Sequence, residues 1–242
     1  PPLPRRLHAQ LVNALSDAGA AALGIDMLFD APQSPADDAA LAQALQGHMP
    51  VVLASAEVTV QSSQVAQYRQ TVPTIFPDAR QGSVLLQVDD DGVLRSAPTQ
   101  ADALWRVLAQ SAGAQFTPPP PGALLRFYAP EVPLPYAHYT QALDPAGTLP
   151  PGALQGHMVL LGQNTPVDKV DQFATPLRGL GGGTLSGVFL HATALINGLT
   201  GDWIVPAHPA GPALQALLAV GVVAGLTRRW RGWRALWISI AL

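Results

Sequence analysis

An almost uninterrupted apolar run with two acidic residues places the strongest constraint on how this chain can fold. It covers residues 19–32, GAAALGIDMLFDAP, with Asp26 inside it and Asp30 close to its end. Such a run, opened by glycine and closed by Ala-Pro, predicts a strand that is buried on both faces. A buried carboxylate is costly unless a partner satisfies it, so we expect Asp26 to have one.

The segments around this run alternate between helical and strand patterns. Residues 4–18 predict a helix that stops at Gly19, because one face is apolar and proline suits the first turn. The apolar face consists of Leu7, Leu11 and Leu15. A capping-box pattern at Ser34 predicts a second helix, and residues 50–56 predict a second buried strand. This order indicates an α/β layered sandwich, with a mixed, mostly parallel sheet flanked by helices.

The later segments predict further elements of the same kind. Residues 57–81 are polar and predict a surface excursion, with an edge strand at 57–60. Residues 83–88 predict a third strand, and the DDDG turn at 89–92 predicts an antiparallel return over 93–95. The remaining predictions are a helix over 102–112, a strand over 123–128, a short helix over 139–143, a strand over 157–162 and a closing helix over 187–199.

Charge is scarce and unevenly distributed. Charged residues make up 12% of the chain, about half the fraction usual in a soluble domain, which points to membrane association. Four of the 13 basic residues lie after residue 208 and all 16 acidic residues lie before it, so residues 1–208 carry a net charge of −7. An acidic domain argues against nucleic-acid binding. The absence of cysteine excludes disulfides and thiolate metal sites.

The C-terminal region has the pattern of membrane segments. Residues 209–227 predict a membrane helix, because they contain a long uncharged stretch. This stretch spans roughly 25 Å, slightly less than the ~30 Å hydrocarbon core, and residues at either end can make up the difference. Residues 228–234, RRWRGWR, predict a short cytoplasmic loop, and the apolar residues 235–242 predict the start of a second membrane helix. A soluble, buried helical hairpin is the alternative interpretation. We expect this chain to be a piece of a longer protein.

Several short motifs follow one another along the chain in a specific order. They are PLPRRLHAQLVNALSDAGAAALGIDMLFDAP, PADDAALAQAL, PVVLAS, VDDDGVLR, RFYAP, QGHMVLLG, VDQFATP and SGVFLHATALINGL. In this order and spacing the chain resembles the second type of CHASE domain, the cyclases/histidine kinases associated sensory extracellular domain, over residues 1–205 and the membrane segments after them. Two positions depart from the family pattern. Ser186 replaces the usual proline before Gly187, and Val170 stands where glycine commonly precedes the aspartate.

The resemblance implies an extracytoplasmic sensor at a bacterial inner membrane, with residues 1–205 in the periplasm or extracellular space. In such receptors the catalysis belongs to a cytoplasmic nucleotide cyclase, diguanylate cyclase, or histidine or Ser/Thr kinase. The family gives a role and no ligand identity. We therefore expect an unidentified small-molecule ligand, a homodimer, membrane attachment through the C-terminal helices, no cofactor and no nucleic acid.

Ligands of α/β sheets bind at the carboxyl ends of strands, which directs attention to residues 26–30, 56–57 and 162–164. Asp26 is a candidate to bind a ligand amine, or a cation together with Asp171. The alternative is a structural carboxylate held by loop N–H groups or by an arginine. The guanidinium group of Arg95 is a candidate to donate two hydrogen bonds to a ligand carboxylate. Its alternative role is a salt bridge with Asp26 or Asp171.

Thr175 and His191 complete the predicted ligand site. His191 lies near the start of the closing helix, where the helix dipole favours neutral imidazole; the alternative is a satisfied core residue. For Thr175 the alternative is turn chemistry. The acidic run at 89–91 suggests calcium, but a solvated turn fits its spacing better. No catalytic motif is present. Two further functions stay open, namely a metal-assisted hydrolase built on Asp26, Asp171 and His191, and a ligand-free dimerisation module.

Overall fold

The computed structural model describes residues 3–60, 68–72, 74–128, 134–164, 171–177, 184–207 and 210–229. The chain divides into two compact units, Pro1–Ile204 and Val205–Leu242. In the first unit the helices are α1 (Arg5–Asp17), α2 (Pro35–Ala44), α3 (Leu104–Ser111), α4 (Tyr139–Leu143), α5 (Pro145–Thr148) and α6 (Gly187–Thr200). Its strands are β1 (Ala22–Asp26), β2 (Val51–Ser55), β3 (Glu57–Val60), β4 (Tyr68–Thr71), β5 (Arg80–Ser83), β6 (Met158–Gly162), β7 (Gln172–Ala174) and β8 (Thr184–Ser186).

Four strands form one parallel sheet in the order β5-β2-β1-β6. β1 lies inside this sheet, with Leu23 opposite Val51 of β2 on one side and Val159 of β6 on the other. Two antiparallel pairs, β3 with β4 and β7 with β8, lie outside it. The predicted α/β architecture with a mostly parallel sheet is therefore confirmed.

Helices cover both faces of the sheet, which makes three layers. On one face α1 and α2 pack together and α4 packs on α1, over a core that includes Leu11, Leu15, Leu23, Ile25 and Leu41. On the other face α3 packs against β1, β2, β5 and α6, over a core that includes Ala22, Val52, Trp105, Leu108 and Leu190. Because successive side chains of a strand alternate between faces, Asp26 points to the same face as Ala22, the face of α3 and α6.

The strand at the centre of the sheet is shorter than the apolar run that predicts it. Its first four residues are fully buried, as expected for a strand covered on both faces. The chain leaves the sheet after Asp26, and Phe29 packs in the core under α1, where its carbonyl accepts the N–H of Ile75 at 2.9 Å. Residues 27–32 are therefore loop, and Asp26 is the last residue of the strand.

Three strand predictions are wrong. The third strand of the sheet is β5 and not residues 83–88, because Gly82 lets the strand approach the Cα of Leu104 too closely for any side chain. Residues 93–95 and 123–128 form only isolated bridges, in which Val93 contacts Ala174 and Leu124 contacts Ser96 and Ile204. The predicted edge strand at 57–60 exists, but it pairs with β4 in a separate ribbon.

The helix predictions agree with the structure, with one exception at a cap. α1, α3, α4 and α6 form where the sequence predicts helices, and Gly19 adopts a positive φ of 79° after α1. The capping box at Ser34 is not formed, because Ser34 makes no side-chain cap hydrogen bond. Instead the carboxylate of Asp38 accepts a hydrogen bond from the backbone N–H of Gln33 at 3.1 Å. It also forms an ion pair with Arg5.

The second unit contains a long apolar helix, α7 (Ala210–Arg229), with Arg228 and Arg229 in its last turn. Large side chains around this helix are exposed, namely Leu214, Leu217, Leu218, Val220 and Val222. Within the described part of the chain, no helix combines the length and the apolarity that crossing a membrane requires. The predicted membrane helix over 209–227 is therefore not confirmed, and residues 230–242, with most of the predicted loop and the second apolar run, lie outside the described residues.

Candidate functional site

Asp26 ends the central strand of the sheet, where its backbone lies opposite Gly162 at the end of β6. Burial, and secondarily the nearby carboxylate of Asp171, raises the pKa of Asp26 to about 7. No ion pair to Asp26 is formed by the described residues. A carboxyl group with a pKa raised this far is present in both protonation states near neutral pH, so it can both donate and accept hydrogen bonds.

Asp171 places its carboxylate at the N-terminus of α6. Its Oδ2 accepts the N–H of Gly187 at 3.2 Å, and a Cβ built on Gly187 would lie 2.5 Å from Oδ1. Ser186 occupies the N-cap position of α6 but makes no side-chain cap hydrogen bond. Asp171 therefore provides the capping oxygen and the negative charge that a helix N-terminus favours.

β6 and α6 meet beside this carboxylate. A Cβ built on Gly162 would lie 2.5 Å from the Cβ of Val188, so only glycine allows this approach. Gly162 is also the strand neighbour of Asp26. The carboxyl ends of β1 and β6 and the first turn of α6 therefore converge on one place.

The sheet order makes this place a topological switch point. From β1 the chain continues through α2 to β2 on one side, whereas β6 lies on the opposite side of β1. In open α/β sheets such a divergence leaves a crevice at the carboxyl ends of the two strands, and ligands bind there. Asp26 and Gly162 are the terminal residues at that crevice.

His191 lies one turn into α6, on the same helix face as Gly187. Its side chain is buried, and burial lowers its pKa to about 4, so the imidazole is neutral. No described residue is a hydrogen-bond partner of its Nδ1. The hydroxyl groups of Thr175 and Ser186 are likewise buried and find no partner in the described part of the chain. Unsatisfied hydrogen-bonding groups therefore occur on α6, at the end of β8 and just after β7.

Arg95 lies apart from this cluster and is engaged elsewhere. Its guanidinium donates to Asp89 at 2.8 Å and to both oxygens of Asp91 at 2.9 and 2.7 Å. The predicted salt bridge of Arg95 with Asp26 or Asp171 is therefore wrong. These hydrogen bonds hold the pKa of Asp91 at about 2. The acidic run forms a turn closed by the Gly92 N–H on the Asp89 carbonyl, in agreement with the solvated-turn interpretation.

A metal-assisted hydrolase gains no geometric support. In the described segments, no three acidic or histidine side chains are arranged to hold a metal ion, so Asp26, Asp171 and His191 do not form the set that such a hydrolase requires. A groove of about 430 Å³ lies between α1 and α2, lined by Arg6, Gln10, Asn13 and Gln43 among others. It includes none of the predicted ligand residues.

Sequence analysis missed the buried polar residues that organise the surroundings. Arg5 is buried, pairs with Asp38 and donates to the carbonyl of Ala31. Asn197 is fully buried in α6 and binds the backbone of Arg126. The signal that could have found both is a polar residue on an apolar helix face, the same signal that singles out His191.

The chain folds into a three-layer α/β domain with a parallel sheet, a partly buried carboxyl group at the end of β1 and a helix that begins nearby, an arrangement at which open α/β sheets commonly bind ligands. The CHASE2 domain model matches residues 1–226 of this chain, and the chain belongs to the CHASE2 family, a family of extracellular sensory domains. Neither the search of curated proteins nor that of solved structures returned a match.

Proposed function

We propose that this domain is the ligand-sensing input module of a membrane-bound bacterial signalling receptor, and that it binds a small molecule at Asp26 beside the start of α6. The observation that carries the proposal is the position of Asp26, a largely buried carboxyl group at the switch point with no ion-pair partner among the described residues. A carboxylate kept only for structure is expected to be held by an arginine or by loop N–H groups, whereas the causes of the raised pKa of Asp26 are burial and Asp171 and include no hydrogen bond. The functional interpretation of Asp26 is therefore favoured.

Three of the other predicted ligand residues, Asp171, Thr175 and His191, are consistent with a ligand site at the start of α6. Asp171 bonds the first turn of α6, and His191 follows one turn later on the same face. Buried polar groups without partners carry a free-energy penalty that a hydrogen-bonding ligand or ordered water relieves. We therefore assign Asp171, Thr175 and His191 to the ligand site and exclude Arg95.

α6 is the element that we propose to carry the signal. Its first turn touches Gly162 and Asp171, so a ligand that rearranges either residue changes how α6 begins. A ligand shifts a conformational equilibrium only by its difference in affinity for the two states. The two states proposed here differ in how the first turn of α6 packs against the end of β6. The output, a nucleotide cyclase, diguanylate cyclase or kinase, belongs to a part of the receptor outside this chain.

A thermal-shift screen of small polar compounds tests ligand sensing. A compound that binds only the folded domain stabilises it by about 2.7 kcal/mol when its free concentration is about one hundred times its Kd. We expect Asp26→Asn to lose this shift, because it removes the ionisable group and keeps the size of the side chain. The matched control is Asp30→Asn, an exposed carboxylate four residues later. A shift that survives in Asp26→Asn would place the ligand elsewhere, and the absence of any shift would favour the dimerisation module.

Attachment to the membrane is a separate proposal that rests on the Arg/Trp loop between two apolar runs. The chain contains no cysteine, so single substitutions give unique labelling sites. We expect Gln10→Cys, at an exposed position of α1, to react with an impermeant thiol reagent on intact cells. We expect Arg231→Cys to react only after permeabilisation. The reverse pattern would overturn the proposed orientation.

A further inference from the structure

His8 in α1 joins three parts of the first unit. Its imidazole is buried and meets the rings of Phe29 and Tyr139 edge-on, at centroid distances of 5.8 and 5.7 Å. Its Nδ1 lies 3.0 Å from the hydroxyl oxygen of Tyr139, the first residue of α4. A single ionisable side chain therefore makes both the ring contact and the hydrogen bond between α1 and α4.

A fixed cation lies next to this imidazole. Arg5, three residues earlier in α1, is buried, stacks over the rings of Phe29 and Phe76, and is held by Asp38 and by the carbonyl of Ala31. The charged and titratable groups that face His8 are thus Arg5 on α1, its ion-pair partner Asp38 on α2, and Tyr139 on α4. Burial, and then the charge of Arg5, lowers the pKa of His8. A second positive charge at His8 is therefore unfavourable in the folded arrangement.

α4 and α5 are very short helices, which local hydrogen bonds of Gln141, Asp144 and Thr148 tie together at their ends. They contain five and four residues, and isolated helices of this length are unstable in water. α4 packs on α1, and its Tyr139, Ala142 and Leu143 are partly buried against the core beneath that helix. The hydrogen bond and the ring contact between His8 and Tyr139 add to these apolar contacts in docking α4 on α1.

We propose that His8 and Tyr139 form an acid-released latch, in which protonation of His8 frees residues 139–148 from α1 while the parallel sheet stays folded. The released segment leads into β6, whose last residue lies opposite Asp26. Residues 149–157, which separate the released segment from β6, keep their own hydrogen bonds to Gly19 and Ala21. The latch is independent of the proposed function, because it requires only His8, its neighbours and the docked α4.

Amide hydrogen exchange, corrected for the intrinsic pH dependence, tests the latch in the intact domain. Between pH 7.5 and 5 we expect the protection of the Ala142 and Asp144 amides to fall severalfold, because protonation of His8 next to Arg5 favours the released segment. The amides of Leu23 and Ile25 in the central strand are expected to keep their protection. A parallel loss at both places means global unfolding and overturns the latch, as does unchanged protection of α4.

Two substitutions assign the effect to His8. His8→Phe keeps an aromatic ring in the cluster but cannot be protonated, so the pH response of α4 is expected to disappear. His8→Gln serves the same purpose with a polar side chain if the phenylalanine variant folds poorly. His48→Gln removes an exposed histidine and is expected to behave like the wild type. Persistence of the full pH response in His8→Phe or His8→Gln contradicts the proposal.

Discussion

The side-chain amide of Asn197 forms both backbone hydrogen bonds of Arg126. Its Oδ1 accepts the Arg126 N–H at 2.8 Å, and its Nδ2 donates to the Arg126 carbonyl at 3.2 Å and to the hydroxyl of Tyr128 at 3.1 Å. A side chain of α6 thus supplies what a neighbouring strand supplies in a sheet. Residues 123–128, which have a strand pattern but lie outside the sheet, thus satisfy their backbone through this amide and through isolated bridges.

Replacing this amide is expected to destabilise the domain. Asn197→Ala removes the side-chain partner of the partly buried N–H and carbonyl of Arg126, and we expect a total loss of roughly 1–3 kcal/mol. Urea unfolding measures the loss as a lower midpoint at unchanged slope. Asn13→Ala, an exposed position on α1, is the control and is expected to stay within about 0.5 kcal/mol of the wild type. Equal stabilities of the two variants would contradict the role given to Asn197.

The close contact between α3 and α6 at Gly198 gives a second prediction. A Cβ at Gly198 would overlap Cζ3 of Trp105 and lie 3.0 Å from its Cε3 and Cη2. We expect Gly198→Ala to cost about 1–3 kcal/mol through overpacking. Because Trp105→Phe removes the part of the ring that clashes, the double variant is expected to be more stable than the sum of the single effects. A double-mutant cycle measures this coupling, and strict additivity would argue against the contact.

Asp26 and His191 make opposite contributions to the pH dependence of stability. The pKa of Asp26 is raised from 3.8 to about 7, so this group stabilises the folded state below pH ~4 and the contribution is lost as pH rises to about 7. The pKa of His191 is lowered from 6.5 to about 4, so its contribution is present above pH ~6.5 and is lost as pH falls to about 4. Each slope reaches up to about 1.4 kcal/mol per pH unit.

The wild type is therefore expected to show a shallow profile between about pH 4.5 and 6.5, while Asp26→Asn gains stability as pH rises. The lowered pKa of His8 adds a slope of the same sign as that of His191 to both proteins, so the wild-type profile rises gently and the variant profile rises more steeply. Urea unfolding at several pH values compares the variant with the wild type and with Asp30→Asn. An Asp26→Asn profile that coincides with the wild-type profile would show that Asp26 has an ordinary pKa.

The Asp26–Asp171 pair allows a test of what raises the pKa of Asp26. Burial is the larger cause of the raised pKa of Asp26, and the carboxylate of Asp171 is the smaller one. Asp171→Asn removes the charge but keeps an oxygen that can accept the Gly187 N–H. We expect the pKa of Asp26 to fall in this variant yet to stay above 3.8, as measured by carbon NMR titration of the side-chain carboxyl group. A return to the ordinary value would mean that the charge of Asp171, and not burial, dominates.

Local patterns predicted the architecture well where one residue type decides the outcome. The run around Leu23 and Ile25 could only be a buried strand, and Gly19 and Gly113 stop helices where the chain needs a positive φ. The strand pattern of residues 83–88 failed, because strand formation depends on which backbone lies next to β2. That position belongs to Gly82 and its neighbours, which approach Leu104 closely. Such a packing constraint between distant residues is not visible in a local pattern.

The candidate site was predictable in part. A carboxylate inside an apolar run draws attention to Asp26, and the end of β6 is recognisable at Gly162. The partner of Arg95 was not predictable, because the turn carries three aspartates close to it and local hydrogen bonds to Asp89 and Asp91 outcompete any distant carboxylate. Asn197 and His8 were missed because their partners lie far away in sequence.

The pairing of β1 has a consequence for how the domain is made. Leu23 is 28 positions from its partner in β2 but 136 positions from its partner in β6. Closing the longer loop costs chain entropy before any contact repays it, which makes such topologies slow to fold. During synthesis the edge of β1 that pairs with β6 therefore keeps its backbone N–H and C=O groups unpaired until Met158–Gly162 has left the ribosome. An unpaired strand edge is a template for pairing with other chains, so this interval is when the nascent domain is most exposed to aggregation.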